Sequence, residues 1–98
     1  MTADLAQIIL RRAYALDGVN LDQQAQRLGA DNWLALTAWL EFSVTGTGGG
    51  FDMMTAALPD DRTLRITDAR GDLPASADTF WLGILDNIGD EEYSLNVG

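Results

Sequence analysis

The 98-residue chain contains no Lys, no His and no Cys. Without cysteine it can form neither a disulfide framework nor a thiolate metal site, which fits a reducing compartment. Without His or Lys, a Ser or Thr nucleophile has no customary base, and the remaining proton-transfer groups are carboxylates and tyrosines. Two facing carboxylates can cleave a glycosidic bond. Here no pair of acids stands in an apolar context that would raise a pKa, and a chain this short leaves little room for a substrate cleft. The sequence therefore predicts a protein that is not an enzyme and takes no cofactor or metal. A basic leader and a long apolar run are missing as well. MTADLAQIILRRAYALDG has no basic residue ahead of its apolar ones and is interrupted by Arg11 and Arg12, so it reads as neither a secretory signal nor a membrane span. A cytoplasmic location is the expectation.

What is present is acid. Fifteen Asp and Glu face six Arg, for a net charge of −9. Such a chain repels nucleic acid and anionic membranes and attracts basic proteins at long range, so the expected partner is a basic protein. At 47% hydrophobic, with three Trp, two Tyr and three Phe, it has enough apolar material to fold, and its length suits a single domain over residues 1–98. The charge is uneven. Residues 1–45 carry five acids and three Arg, whereas residues 46–98 carry ten acids and three Arg.

Leu5, Ile8, Ile9, Ala13 and Leu16 recur at helical spacing behind Asp4, and Gly18 follows as a C-terminal stop, which predicts a helix over residues 3–16. Asn20 with Gln23 three residues on resembles a capping box, and LDQQAQRL closes at Gly29, which predicts a second, short helix over about residues 21–28. In DNWLALTAWLEFSVTG the apolar residues Leu34, Leu36, Ala38, Leu40, Phe42 and Val44 alternate, favouring a strand from about Leu36 onward. The Ala and Leu content of its first half equally suits a helix capped by Asp31, and that alternative stays open. TGTGGG, residues 45–50, reads as a flexible loop because four glycines in five positions stabilise no regular element. FDMMTAAL, RTLRITD, TFWLGILD and EEYSLNV then read as strands, separated by turns at Pro59-Asp60-Asp61, in RGDLPASAD and at Asn87-Ile88-Gly89-Asp90. The expected fold is α+β, with two N-terminal helices packed on a four- or five-stranded, mainly antiparallel sheet.

Three short motifs invite chemistry and do not carry it. Gly46-Thr47-Gly48-Gly49-Gly50-Phe51 has Phe where a dinucleotide fingerprint needs its last glycine, and no Lys exists for a P-loop. Arg70-Gly71-Asp72 is the tripeptide integrins read, but in a chain without a secretion signal it reads as a turn. Asp86-Asn87-Ile88-Gly89-Asp90-Glu91-Glu92 is dense in oxygens but lacks the alternating ligands of a calcium loop, and reads as a solvated hairpin turn.

The candidate partner-binding residues are the acids at strand ends and turns, Asp60, Asp61, Asp68, Asp72, Asp86, Asp90, Glu91 and Glu92, with two aromatics, Trp39 and Trp81. Alternate residues on a strand face lie about 6.7 Å apart, comparable to phosphate spacing, so an acidic rim can imitate a nucleic-acid backbone. An ordinary solubilising surface has the same composition, and both readings stay open. Phe80 and Trp81 are strand neighbours and point to opposite faces; an exposed Trp beside carboxylates suits an interface anchor.

In size, acidity and lack of catalytic apparatus the chain resembles the small phage-encoded anti-CRISPR proteins, several of which mimic nucleic acid in their charge. The resemblance covers the general character of all 98 residues and carries no diagnostic motif, so no residue's role transfers with it. It implies an inhibitor that occupies the basic nucleic-acid-binding surface of a CRISPR effector subunit or a related bacterial defence nuclease, inside the host cell. Alternatives of another class are a toxin-immunity protein or secretion chaperone, and a phage structural or assembly protein whose strand edge pairs with copies of itself.

Overall fold

The computed structural model describes residues 2–38 and 40–97 and shows an α+β fold: a helix α1 (Thr2–Arg27), a short helix α2 (Trp33–Thr37), and five strands, β1 (Ser43–Gly48), β2 (Phe51–Ala57), β3 (Thr63–Thr67), β4 (Phe80–Leu85) and β5 (Glu91–Val97). The strands form one antiparallel sheet in the order β1-β2-β3-β4-β5, each paired with its neighbour in sequence. No helix among the described residues is long and apolar enough to cross a membrane.

Gly18 does not end the first helix; residues 2–27 form one continuous helix where the sequence predicts two. A glycine inside a helix costs about 1 kcal/mol relative to alanine, and burial on both sides of it outweighs that. Ala6, Ile9, Leu10 and Ala13 before it and Leu21, Ala25 and Leu28 after it are all buried in one core. Their spacing stays in phase across residues 14–20, so a single stripe lies against the sheet. At 1.5 Å per residue the helix is about 39 Å long, comparable to the molecule's longest dimension of 36 Å. It ends in a Schellman motif: the Ala30 N–H donates to the Ala25 carbonyl (3.0 Å) and the Gly29 N–H to that of Gln26 (3.1 Å).

Residues 33–37 form a helix instead of opening the expected strand, and the cap is Asn32, not Asp31. The Asn32 carboxamide oxygen accepts from the Ala35 N–H at 2.8 Å. The cause is tertiary. Asp22 of α1 accepts the Trp33 backbone N–H on one oxygen (2.9 Å) and the Tyr14 hydroxyl on the other (3.1 Å), pinning the start of α2 to α1. The Asp22 carboxylate also pushes the Tyr14 pKa up, chiefly by holding its proton in that hydrogen bond. Trp33 is thereby driven into the core with no exposure, and among the described residues its indole N–H has no acceptor. Leaving such a donor unmet costs about 1–3 kcal/mol, comparable to what burial of a large side chain returns.

The glycine-rich segment is also ordered. Gly46 and Gly48 belong to β1, which pairs with β2 through a register shift between them, and Gly49 and Gly50 form a two-residue hairpin turn with φ of +66° and +86°. Positive φ at both central residues is the turn whose twist matches the flanking strands, which is why glycines here make a hairpin and not a flexible loop.

Strands β2 to β5 follow the sequence reading closely. Met54, Ile66, Leu82 and Leu95 lie opposite one another, as do Ala56, Leu64, Ile84 and Tyr93, and these rows face α1. Thr55, Arg65, Gly83 and Ser94, with Met53, Thr67, Trp81 and Asn96, occupy the other face, which no helix among the described residues covers.

Two turns share one design. In Asp68-Ala69-Arg70-Gly71-Asp72 and in Asp86-Asn87-Ile88-Gly89-Asp90, the first carboxylate accepts two backbone N–H groups, from Arg70 and Asp72 in one and from Ile88 and Asp90 in the other. The backbone bonds from Asp68 N–H to the Asp72 carbonyl and from Asp86 N–H to the Asp90 carbonyl match as well (2.7 and 2.8 Å). Each turn needs a left-handed residue at its fourth position, where Gly71 has φ +85° and Gly89 +90°. Gly71→Ala and Gly89→Ala should each lower stability in urea denaturation by about 1–2 kcal/mol, the cost of a side chain in that conformation. Gly46→Ala, at a strand position without that constraint, should change it by less than about 0.5 kcal/mol.

Candidate functional site

A meander puts alternate turns at opposite ends of its sheet. The β2–β3 turn therefore shares an end with the β4–β5 turn, and six of the candidate acids, Asp60, Asp61, Asp86, Asp90, Glu91 and Glu92, gather there. Asp68 and Asp72 lie at the opposite end, in the β3–β4 connection, where an Asp72 oxygen accepts the Asp52 N–H (3.2 Å) and the Leu73 N–H (2.9 Å). Trp81 sits on the uncovered face, 39% exposed, while its neighbour Phe80 is fully buried. Trp39 lies outside the described residues.

The six acids are not equivalent. Asp86 is committed to its turn. Glu92 takes Arg62 in a two-pronged pair, through Nε and through Nη2 (3.1 Å), tying the β2–β3 turn to β5. Glu91 takes Arg65 across the uncovered face, and that pair lies over Gly83: a Cβ built there would stand 3.3 Å from both the Arg65 guanidinium and the Glu91 carboxylate. Asp60, Asp61 and Asp90 are exposed, and none has an ion-pair partner among the described residues. Asp60 and Asp61 are further held outward by left-handed backbone, φ +61° and +60°, a conformation that Asp tolerates better than most side chains.

Two grooves flank the sheet, the first at the acidic end and the second toward the opposite end, beside the β3–β4 connection. One of about 220 Å³ is lined by Gln24, Arg27, Leu28, Arg62, Ile84 and Glu92, where the C-terminus of α1 meets the sheet. The other, also about 220 Å³, lies on the uncovered face between Met53, Arg65, Thr67, Gly71 and Trp81. Both fall below the roughly 300–1,000 Å³ of typical small-molecule sites, so the geometry suits contact with a macromolecule's side chains better than enclosure of a ligand. Arg65 belongs to the second groove and to the pair with Glu91, so this one side chain links the Trp81 groove to the acidic end across the uncovered face. Among the described residues no group of three or more carboxylates is arranged to hold a metal ion.

Arg62, Arg65 and Gly83 complete this surface and are absent from the acids and aromatics that the sequence singles out. Their signals were present: Thr63, Arg65 and Thr67 alternate on the polar side of β3, and a lone glycine inside a strand marks a close approach.

The Arg62 guanidinium holds the Glu92 carboxyl below its ordinary value, and Glu92 in turn raises Arg62. Asp68 is lowered too, chiefly by the Asp72 backbone N–H. A carboxyl whose folded pKa lies below its unfolded one binds fewer protons when folded, so its stabilisation is complete above the unfolded value and lost as pH falls through the folded one. Stability should therefore drop as pH is lowered from about 5 to about 3. Glu92→Gln should lower stability at pH 7 and make that drop shallower. Urea midpoints across the range test this, and parallel curves for parent and variant would contradict it.

Comparison with protein-family models, with curated proteins and with solved structures finds no match, so the surface is read from its own geometry alone.

Proposed function

We propose that this chain is a non-catalytic inhibitor that acts in the bacterial cytoplasm by occupying the basic nucleic-acid-binding surface of a partner protein, the role that resemblance to the anti-CRISPR proteins implies. The partner class is a CRISPR effector subunit or a related defence nuclease. The observation that carries this reading is the gathering of six acids, remote in sequence, at one end of the sheet, with Asp60, Asp61 and Asp90 exposed and outside the ion pairs. Opposing them locally are Arg27, Arg62 and Arg65, two of which are already engaged by Glu92 and Glu91. The unneutralised charge faces solvent at strand ends, where a groove built to hold phosphates can reach it.

Exposed acids act mainly on the rate of encounter, whereas an aromatic anchor acts on the lifetime of the complex. Asp60, Asp61 and Asp90 would steer approach, and Trp81, half uncovered beside Met53 and Thr67, would supply the anchor. Glu91 and Glu92 hold Arg65 and Arg62 in place and support the surface.

The test is displacement of DNA from purified CRISPR effectors, followed by mobility shift and by stopped-flow association. The combined variant Asp60→Asn, Asp61→Asn, Asp90→Asn removes three charges while keeping every ion pair, and Asn suits the left-handed turn positions. It should slow association by about tenfold at low salt and flatten the salt dependence. Trp81→Ala should leave association unchanged and speed dissociation. If the triple variant displaces DNA as fast as the parent at 50 mM salt, charge mimicry is wrong.

A further inference from the structure

β5 is the last strand of the sheet and, among the described residues, pairs with β4 alone. Proteins usually blunt such an edge with Lys, Pro or a bulge, because its outward N–H and C=O groups invite another strand. On β5 those devices are confined to the beginning, where Glu91 and Glu92 stand beside the register shift at Ile84 and Leu85. From Tyr93 to Val97 there is no charge, no proline and no glycine. On the helix side Tyr93, Leu95 and Val97 are only partly covered, so the core thins out at this edge without being closed. β1, the opposite edge, is the poorer template. It contains Gly46 and Gly48 with a register shift between them, and Ser43, Val44 and Thr45 are all exposed.

The geometry points to a second copy of this chain on the β5 edge: two β5 strands paired antiparallel about a two-fold axis at Ser94, giving one ten-stranded sheet with both α1 helices on the same face. In that register Tyr93 lies opposite Leu95 and Ser94 opposite its own copy, and the irregular residues Glu92 and Glu91 fall at the two ends of the pairing, toward Asn96 and Val97. The partly covered apolar residues of each copy close over those of the other, and no acid meets an acid. The two Glu92 residues stand four residues apart along the strands, about 13 Å, beyond the screening length of about 8 Å at physiological salt. Pairing β5 with itself uses one patch on both copies and closes, whereas β5 against β1 would propagate without end. Edge pairing alone is a small interface, so the dimer is reversible and concentration-dependent.

This inference is independent of the proposed function, and salt separates them. Two copies of net charge −9 repel at long range, so dimerisation strengthens as salt rises, whereas binding to a basic partner weakens.

Sedimentation equilibrium of the intact chain at 50 and 500 mM salt reads the first arm. The mass should climb from 10.6 kDa toward twice that value with concentration, and earlier at the higher salt. Ser94→Cys reads the register. The chain has no other cysteine, and residues facing across an antiparallel pair have Cα atoms about 4.5–5.5 Å apart, within disulfide reach. It should give a covalent dimer on oxidation, while Ser43→Cys on β1 should not. Ser94→Lys should abolish association by placing like charges opposite one another, and an equimolar mixture with Ser94→Glu should restore it. A 10.6 kDa particle at both salts up to about 1 mM, a dimer indifferent to Ser94→Lys, or cross-linking equal at Ser43 and Ser94 would each overturn the proposal.

Discussion

Everything in this molecule depends on one helix covering one face of the sheet. Leu64, Ile66, Leu82 and Ile84 form the apolar side of β3 and β4, and α1 supplies the stripe from Ala6 to Leu28 that keeps it dry. Break α1 at residue 18 and its two halves no longer share an axis; the continuous stripe is what makes Gly18 tolerable inside it. Trp33 fills the remaining core volume, and Asp22 fixes it there through a backbone bond.

The candidate surfaces follow from that arrangement. Among the described residues one long helix is spent on one face, so the other face keeps Trp81, Met53 and Arg65 in partial contact with water, and the two outer strands have one edge each without a neighbouring described strand. Meander connectivity sends alternate turns to alternate ends, which is how Asp60 and Asp90, thirty residues apart, come to share a surface while Asp68 and Asp72 are carried away from it. Arg62 and Arg65 then reach from β3 and its leading turn to the first residues of β5, and Gly83 leaves room on β4 for the second of these bridges.

The sequence made strands β2 to β5 legible because each is a short apolar or alternating run bounded by turn residues, Pro, Gly or Asp. It misled where local and tertiary signals disagree. Gly18 reads as a stop, yet the apolar positions before and after it are in register, and testing that phase would have joined the helices. Leu36 to Val44 alternates like a strand, but Asp22, eleven residues upstream of Trp33, decides in favour of a helix at its start, and no local window contains that contact. The glycines of residues 46–50 read as a loop on their entropy, yet the paired positive φ they permit at Gly49 and Gly50 builds a hairpin turn. Among the acids, composition could not separate those held in turns and ion pairs from those facing solvent. The repeated Asp-x-x-Gly-Asp spacing at residues 68 and 86 was the available hint, since such a first Asp turns its carboxylate inward onto backbone N–H groups.

The central claim, that the acidic sheet end and the adjoining Trp81 face engage a basic partner, is tested most directly by mapping the contact on the molecule itself. Amide and indole NMR shifts of the labelled chain, followed while an inhibited nucleic-acid-binding effector is added, should move at Asp60, Asp61, Asp90 and the Trp81 indole and leave the outer face of α1 unchanged. Shifts confined to Ile8, Arg11 and Leu16 of α1, with the sheet end silent, would contradict the account.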